Sequence, residues 1–269
     1  MNEAGTSMLR TRGLGLEIPG RVLLESLDWQ IQRGETWALL GRNGSGKSTL
    51  LHTLAGVRPL QSGTIELPDQ GLFHPAESLS RRTIARQMAL LQQHTSYSFD
   101  ATVLQMAMAG RHPHLGAWQQ ESARDFAIAR QALKDMDLEG LEQRNVSSLS
   151  GGEARRLAFA TMLVQETPLL LLDEPSNHLD IGHQIQIMRK LRSLVETGSA
   201  EKGRCAALVA IHDLNLAARY CSHVLMLFGD GRYLAGPLDE VLSSKQLSEL
   251  YNYPIEQLLW DQGRCFLPG

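Results

Sequence analysis

Cysteine is scarce in this sequence, and its three thiols are far apart. Cys205, Cys221 and Cys265 give an odd count with no closely spaced pair. This pattern excludes a zinc site of the usual spacing and offers no disulfide framework. We therefore expect inert thiols in a reducing compartment.

Long apolar runs are also missing. The longest, around residues 168–173, falls far short of the roughly 18 to 20 residues that cross a bilayer. Residues 1–13 lack the apolar core of a signal peptide. The sequence thus predicts a cytosolic protein that touches a membrane only through another protein.

Neither sign of charge dominates the chain. The net charge is −3, and the charged residues are scattered rather than blocked. No strong field therefore attracts nucleic acid or an anionic membrane, and we expect no nucleic-acid partner. With 269 residues, the chain is long enough for one large domain or two small ones, and it has no repeat or evident linker.

A glycine-rich stretch, LLGRNGSGKSTLL at residues 39–51, is the most informative feature. It follows the apolar run TWALLG, which is typical of a buried strand, and it leads into STLLHTLAG, a helix pattern that ends at Gly56. The spacing satisfies the phosphate-binding pattern G-x-x-x-x-G-K-[S/T]. Backbone N–H groups of such a loop surround β- and γ-phosphates, while Lys47 adds a charge and Ser48 offers a hydroxyl to Mg²⁺. A glycine-rich turn that merely links strand to helix is the alternative.

The predicted phosphate cradle comprises Gly41, Arg42, Asn43, Gly44, Ser45, Gly46, Lys47, Ser48 and Thr49.

An acid pair, Asp173 and Glu174, ends the apolar run at 168–173. Acids at the carboxyl end of a strand in an open α/β sheet face the edge where ligands bind. Asp173 suits Mg²⁺, and Glu174 suits a general base that polarises an attacking water. Many strands end in solvated acids, so the pair gains its meaning from the cradle.

Between the cradle and the acid pair the chain changes character. Residues 99–165 are rich in helix formers and predict about three helices without a strand. Short apolar runs return at 168–173 and 206–212, with a helical pattern at 181–196 between them and a polar, exposed loop at 196–205. The pattern predicts one α/β core with a helical insertion.

The segment LSGGE, residues 149–153, opens a helical stretch within this insertion. A Ser-capped helix is the plain interpretation. Together with the cradle upstream and the acid pair downstream, however, it resembles the signature of ATP-binding subunits of ABC transporters. The resemblance covers roughly residues 8–260.

The resemblance implies a P-loop NTPase core with a largely parallel sheet, an amino-terminal antiparallel β portion and an inserted helical subdomain. The single domain 1–269 would then divide into a nucleotide-binding core, approximately 8–93 and 166–269, and the subdomain 94–165.

ATP and Mg²⁺ are the cofactors that the resemblance implies, and a second copy of the chain is the first partner. In this family Ser150, Gly151 and Gly152 would bind the γ-phosphate of ATP held by the partner copy's cradle. Small residues at a helix N-terminus suit that anionic group. Each monomer would therefore carry two half-sites, and two copies would close over two ATP molecules.

Further positions match the family in order. Gln93 in ALLQQHT would sense Mg²⁺ and the attacking water, with Gln92 beside it as the competing choice and an exposed loop glutamine as the plain alternative. Asp180 in SNHLD would lie in the loop through which each subunit senses the other's site. His212, which we place after the last core strand, would contact the γ-phosphate.

The resemblance therefore gives Glu174, His212 and Gln93 as catalytic residues and Ser48, Gln93 and Asp173 as the Mg²⁺ set.

One departure concerns adenine. The family often has an aromatic residue shortly before the cradle, whereas GLEIPGRVLL offers only Ile18 near that place. Adenine would then rest on aliphatic side chains and lose part of the stacking energy.

The segments MAGRHPHLGAW, HDLNLAARY and LSELYNYPIE resemble the importer branch for ferric siderophores, haem and vitamin B12. Its members would work with two transmembrane permease subunits, contacted here through about 94–118, and indirectly with a periplasmic binding protein. The chain would lie peripherally on the cytoplasmic side of the inner membrane. Two alternatives are a soluble ABC ATPase acting on ribosomes or nucleic acid, and a nucleotide-binding scaffold without hydrolysis, which Lys47, Glu174 and His212 argue against.

Overall fold

The computed structural model describes residues 7–69, 72–116, 118–177, 179–198, 204–260 and 263–269. The predictions for segments 1–13, 94–118, 176–180 and 196–205 lie partly outside the described residues, at 1–6, 117, 178 and 199–203.

The strands are β1 Ser7–Ile18, β2 Arg21–Gln32, β3 Thr36–Leu40, β4 Ser62–Asp69, β5 Leu72–Pro75, β6 Met88–Leu91, β7 Leu169–Asp173, β8 Ala206–Ala210, β9 His223–Leu227, β10 Tyr233–Pro237, β11 Ile255–Trp260 and β12 Gly263–Pro268. The α-helices are α1 Lys47–Leu54, α2 Arg81–Gln87, α3 Val103–Met108, α4 Ala123–Asp135, α5 Gly151–Val164, α6 Ile181–Glu196, α7 Leu214–Tyr220, α8 Leu238–Val241 and α9 Ser244–Tyr251.

The larger sheet has the strand order β10-β9-β3-β8-β7-β6. Its strands run parallel from β9 to β6, and only β10 is antiparallel to its neighbour. Every residue of β3, β7 and β8 is buried, as a parallel sheet covered on both faces requires. The parallel arrangement brings the carboxyl ends of β3, β7 and β8 to one edge.

A second sheet, of order β2-β1-β4-β5, is antiparallel throughout. Its apolar side chains form one core with α1 and one face of the larger sheet, through residues such as Leu9, Leu27, Leu50 and Leu208. The predicted fold class is confirmed in both respects: a largely parallel sheet and an amino-terminal antiparallel β portion.

The insertion is helical, as the sequence predicts. Helices α3, α4 and α5 each begin with a capping box, in which the N-cap hydroxyl accepts from the backbone N–H three residues later and that residue's side chain accepts from the N-cap N–H. Phe159 of α5 is fully buried in the core that these helices share with the other face of the larger sheet. The exact subdomain limits at 94 and 165 stay a prediction.

The carboxyl-terminal third corrects one expectation. We placed His212 after the last core strand, but β9 follows it and pairs in parallel with β3. The apolar run VLMLF at 224–228 has the length and composition of the other buried strands, and our interpretation overlooked it. His212 therefore follows an interior strand of the sheet, which places it at the middle of the edge.

No helix in the described part of the chain is long and apolar enough to span a bilayer.

Candidate functional site

The glycine-rich loop leaves β3 and enters α1, as the cradle prediction requires. Gly46 is the N-cap of α1 and has a φ of 105°, a left-handed conformation that residues with a Cβ atom rarely adopt. At Gly41 a Cβ atom would lie 2.3 Å from Ser45 Oγ and 2.7 Å from the carbonyl oxygen of Leu227. Both positions therefore require glycine to keep the loop tightly turned.

Lys47 is buried at the start of α1. Its Nζ donates to the carbonyl oxygen of Gly41 at 2.9 Å and to that of Arg42 at 3.4 Å. Burial lowers the pKa of Lys47, while the carboxylates of Glu174 and Asp173 oppose that shift. The ammonium can donate to three acceptors, so a phosphate oxygen can join the two carbonyls.

Asp173 ends β7 beside the cradle and is almost completely buried. Neither of its carboxylate oxygens makes a hydrogen bond of regular geometry among the described residues, and the Ser48 hydroxyl is the donor beside them. Burial raises the pKa of Asp173, and the adjacent Ser48 hydroxyl offsets the shift only in part. A divalent cation would satisfy these orphaned oxygens, so the residues fit Mg²⁺.

The described residues contain no group of three or more His, Cys, Asp or Glu side chains that could hold a metal ion. A Mg²⁺ ion bound here would therefore take some of its ligands from a substrate phosphate, as is usual for this cation.

Glu174 is the centre of a hydrogen-bonded cluster. His212 Nε2 lies 2.6 Å from Glu174 Oε1, and Gln93 Nε2 donates to Glu174 Oε2 at 2.8 Å. Asn177 Nδ2 donates to the same Oε2 atom. The structure thus brings together the three predicted catalytic residues, and it adds Asn177, which sequence reasoning missed.

The carboxylate of Glu174 is held in its charged form. Burial by itself raises the pKa of Glu174, but the hydrogen bonds from His212 and Asn177 and the charge of Lys47 prevail, so the pKa lies below its ordinary value. The backbone of Glu174 has φ of 48°, which is uncommon for a residue with a side chain. Such strain is characteristic of residues that a surrounding structure holds in place for function.

The two candidate glutamines play different parts. Only the side chain of Gln93 reaches Glu174, whereas the main-chain oxygen of Gln92 accepts a hydrogen bond from Arg155. The geometry therefore favours Gln93 for the predicted role.

A cavity of about 300 Å³ lies over the cradle. It is lined by Ile18, Leu23, Asn43, Gly44, Gly46, Lys47, Ser48, Thr49, Gln93 and Glu174. Ile18 is where we expect adenine to pack, and Leu23 is a second aliphatic side chain that sequence reasoning missed.

The LSGGE segment caps α5. Ser150 Oγ accepts from the backbone N–H of Glu153 at 3.3 Å, and the Glu153 carboxylate accepts from the N–H of Ser150 at 2.8 Å. These residues are not among those lining the cradle cavity of the described chain. A Cβ added at Gly151 would meet nothing within 4 Å. The helix terminus is therefore open to an outside group.

Asp180 is the N-cap of α6 and is not joined to the Glu174 cluster by any described hydrogen bond. Its carboxylate accepts from the N–H of His183 at 2.9 Å and lies 2.9 Å from Nδ1 of the same residue. Its predicted role between subunits stays a prediction.

Comparison with known proteins agrees with a nucleotide-binding site in this chain. The sequence model of the ABC transporter family matches residues 24–177. The chain is 36% identical over 252 residues to the hemin import ATP-binding protein HmuV of Streptomyces coelicolor, covering 94% of this chain and 86% of that protein. It is 34% identical over 243 residues to the petrobactin import ATP-binding protein FpuD of Bacillus anthracis, covering 90% and 86%. It is also similar to the solved inward-facing structure of a metal-chelate type ABC transporter, with a TM-score of 0.80, 25% identity, and coverage of 98% and 97%.

Proposed function

The chain belongs to the ABC transporter family, and from that premise we propose that it is the ATPase subunit of an importer for a metal chelate. The observation that supports ATP hydrolysis most directly is the cluster in which His212, Gln93 and Asn177 hold the Glu174 carboxylate beside the buried Lys47 ammonium.

The cluster suits Glu174 for the role of general base. A carboxylate whose pKa is kept low is ionised at neutral pH and can accept a proton from an attacking water. Gln93 and His212 bond to opposite oxygens of the carboxylate and so fix its plane. His212 can also donate to a γ-phosphate oxygen once its contact with Glu174 is exchanged.

The cradle positions the nucleotide. Lys47 and the backbone N–H groups of the loop bind the β- and γ-phosphates, and Ile18 and Leu23 offer an aliphatic surface to adenine. Ser48 and Asp173 would hold Mg²⁺, which when bound neutralises charge that develops on the phosphates. The orphaned oxygens of Asp173 support this assignment.

The complete site needs a second copy of the chain. Ser150, Gly151 and Gly152 form an open helix terminus that can receive the γ-phosphate bound by the partner's cradle. Two such contacts related by twofold symmetry would close the dimer over two ATP molecules. ATP then favours the closed state, and loss of the γ-phosphate reopens it.

Import ATP-binding proteins of this family work with membrane permease subunits. We propose that this chain contacts two of them through about 94–118, lies peripherally on the cytoplasmic side of the inner membrane, and depends on a periplasmic binding protein for its cargo. The proposed cargo class is haem, a ferric siderophore or vitamin B12. The names of the relatives favour this over an ATPase acting on ribosomes or nucleic acid.

Affinity purification tests the assignment. A tagged chain solubilised in detergent from its source cell should recover permease subunits, and the reconstituted complex should take up one labelled metal chelate with ATP. A complex carrying Lys47→Met should assemble but take up none. Recovery of ribosomes or nucleic acid alone, with an ATPase that they stimulate, would overturn the proposal.

A further inference from the structure

Arg155 is a buried guanidinium on α5, five residues after the signature serine. It is 4% exposed. Its described hydrogen bonds go to carbonyl oxygens, those of Asp173 at 2.8 Å, Glu174 at 2.7 Å and Pro175 at 3.4 Å, and the negative charges of the Asp173 and Glu174 side chains also act on it. Burying a charge is costly unless hydrogen bonds and opposite charges satisfy it, so these contacts are what keep Arg155 buried at this place.

The same guanidinium also contacts the glutamine segment. Arg155 donates to the main-chain oxygen of Gln92 and lies 3.5 Å from Thr95 Oγ1. Arg155 thus contacts the segment that contains Gln93 and also the carbonyl of Glu174. These are the two residues whose side chains meet at 2.8 Å in the proposed catalytic cluster.

The turn at Glu174 needs such support. Its backbone has φ of 48°, and it is followed directly by Pro175. Arg155 fixes the carbonyls of three consecutive residues across this strained turn. A strained conformation persists only when the surrounding structure determines it from several directions.

We propose that Arg155 is a positioning residue that sets the distance between Gln93 and Glu174 and ties it to the signature helix of the same chain. The inference rests on the proposed ATPase function. Helix α5 begins at the segment that would receive the partner's nucleotide. A shift of this end of α5 would therefore also move Arg155, and with it the carbonyls that position the chain's own general base, Glu174. Arg155 thereby joins the two half-sites of one monomer.

Arg156 provides a matched control. It is the next residue on α5, and its guanidinium also donates to main-chain carbonyls, those of Met136 at 2.9 Å and Asp137 at 3.0 Å. Both acceptors lie at the end of α4, away from the Glu174 turn. Arg156→Gln therefore removes a comparable structural contact without touching the catalytic cluster.

The experiment compares Arg155→Gln, Arg155→Lys, Arg156→Gln and Glu174→Gln in the full chain. It measures kcat and KM for phosphate release, the Kd of a fluorescent ATP analogue, and the melting temperature. Arg155→Gln should lower kcat by about 10- to 100-fold, the loss expected when reacting groups move by about 1 Å, with an unchanged Kd. Arg155→Lys keeps the charge but not the planar fork, so it should recover part of kcat.

Arg156→Gln should lower the melting temperature and leave kcat intact. A wild-type kcat in a folded Arg155→Gln protein would overturn the inference. A loss of nucleotide affinity that parallels the loss of kcat would also overturn it. If Arg155→Gln does not fold, Arg155→Lys decides alone, and an unchanged kcat there refutes the inference. If the wild-type chain neither binds nor hydrolyses ATP, the proposed function fails and the inference fails with it. If the wild-type chain hydrolyses ATP and only Glu174→Gln lowers turnover, the proposed function stands and only the role of Arg155 is refuted.

Discussion

The Nε2 atom of His212 lies 2.6 Å from Oε1 of Glu174, although 38 residues separate them in sequence. Glu174 directly follows β7 and His212 follows β8, and these strands are parallel neighbours, with Asp173 opposite Ala210. Parallel neighbours bring their carboxyl ends to one edge of a sheet. The pairing of a proposed base with its orienting histidine therefore follows from strand order.

Replacement of this base tests its role. Glu174→Gln keeps the size of the side chain but removes the negative charge that accepts the proton, so ATP turnover should fall by about 10²- to 10⁴-fold. ATP binding should persist, and a dimer closed over ATP should accumulate. Phosphate release, nucleotide binding and light scattering measure the three effects.

Glu240→Gln is a suitable control for this variant, because Glu240 is an exposed carboxylate in the first turn of α8. It should behave as wild type in all three measurements. Unchanged turnover in Glu174→Gln would contradict the assignment of the base.

Much of this site could be predicted from local sequence. The cradle and the acid pair are contiguous patterns whose geometry is set by a strand and the turn after it, and the structure places Lys47, Asp173 and Glu174 accordingly. Strands β3, β7 and β8 are short, largely apolar runs, so they too carry a local signal.

The contacts that depend on distant segments could not be predicted in this way. Arg155 reaches the Glu174 turn only because α5 packs against it, and a single polar residue carries no signal of such packing. Asn177 lies just three residues after Glu174, so its contact is local, but nothing in the sequence marks which polar residue of the turn bonds to the carboxylate. The apolar run of β9 was overlooked, whereas its parallel pairing with the distant strand β3 could not have been predicted from local sequence. Strand pairing and buried guanidinium contacts are tertiary properties.

Asp173 should show a conflict between stability and function. Its buried carboxylate is poorly satisfied by hydrogen bonds, with only the Ser48 hydroxyl beside it, which costs free energy in the protein without a cation. Asp173→Asn should therefore raise the melting temperature in the presence of a chelator. Addition of ATP and Mg²⁺ should stabilise the wild type strongly and the variant much less, because ligand that binds only the folded state raises its stability.

Thermal unfolding of both proteins, with and without Mg²⁺, tests this. Equal stabilisation of the wild type and the variant by ATP and Mg²⁺ would show that Asp173 does not help to hold the cation.

Asp125, in the helical insertion, should contribute to the acid stability of the chain. Hydrogen bonds from Ser122, followed by the ion pair with Arg111, lower its pKa to about 2. A carboxylate whose folded pKa is depressed stabilises the fold above its unfolded pKa, about 3.9, and loses that contribution as the pH falls through the folded value. The free energy of unfolding should therefore differ between wild type and Asp125→Asn at neutral pH, and the difference should vanish between about pH 4 and pH 2.

Chemical denaturation over this pH range measures the effect. Ser122→Ala removes the largest cause of the shift but keeps Arg111, so it should move the acid loss to higher pH. A wild-type and Asp125→Asn difference that does not change with pH would contradict the prediction.

Two inactive variants should restore each other if the site is divided between chains. Lys47→Ala removes the cradle charge, and Gly151→Asp adds a carboxylate where a partner's γ-phosphate would lie. Because a Cβ at Gly151 meets no atom within 4 Å, the second variant should fold normally and still bind ATP at its own cradle. Each variant alone should lose ATP turnover.

In an equal mixture about half of the dimers are mixed, and twofold symmetry gives each of these one complete site, formed by the cradle of the Gly151→Asp chain and the signature segment of the Lys47→Ala chain. Turnover should therefore recover to about a quarter of the wild-type value. The recovery should depend on total protein concentration, since it requires association. Mixed dimers without recovered turnover would contradict the divided site. A wild-type chain that hydrolyses ATP at full rate while it remains a monomer would also contradict it, because either result would leave Ser150 and its neighbours without a nucleotide to bind.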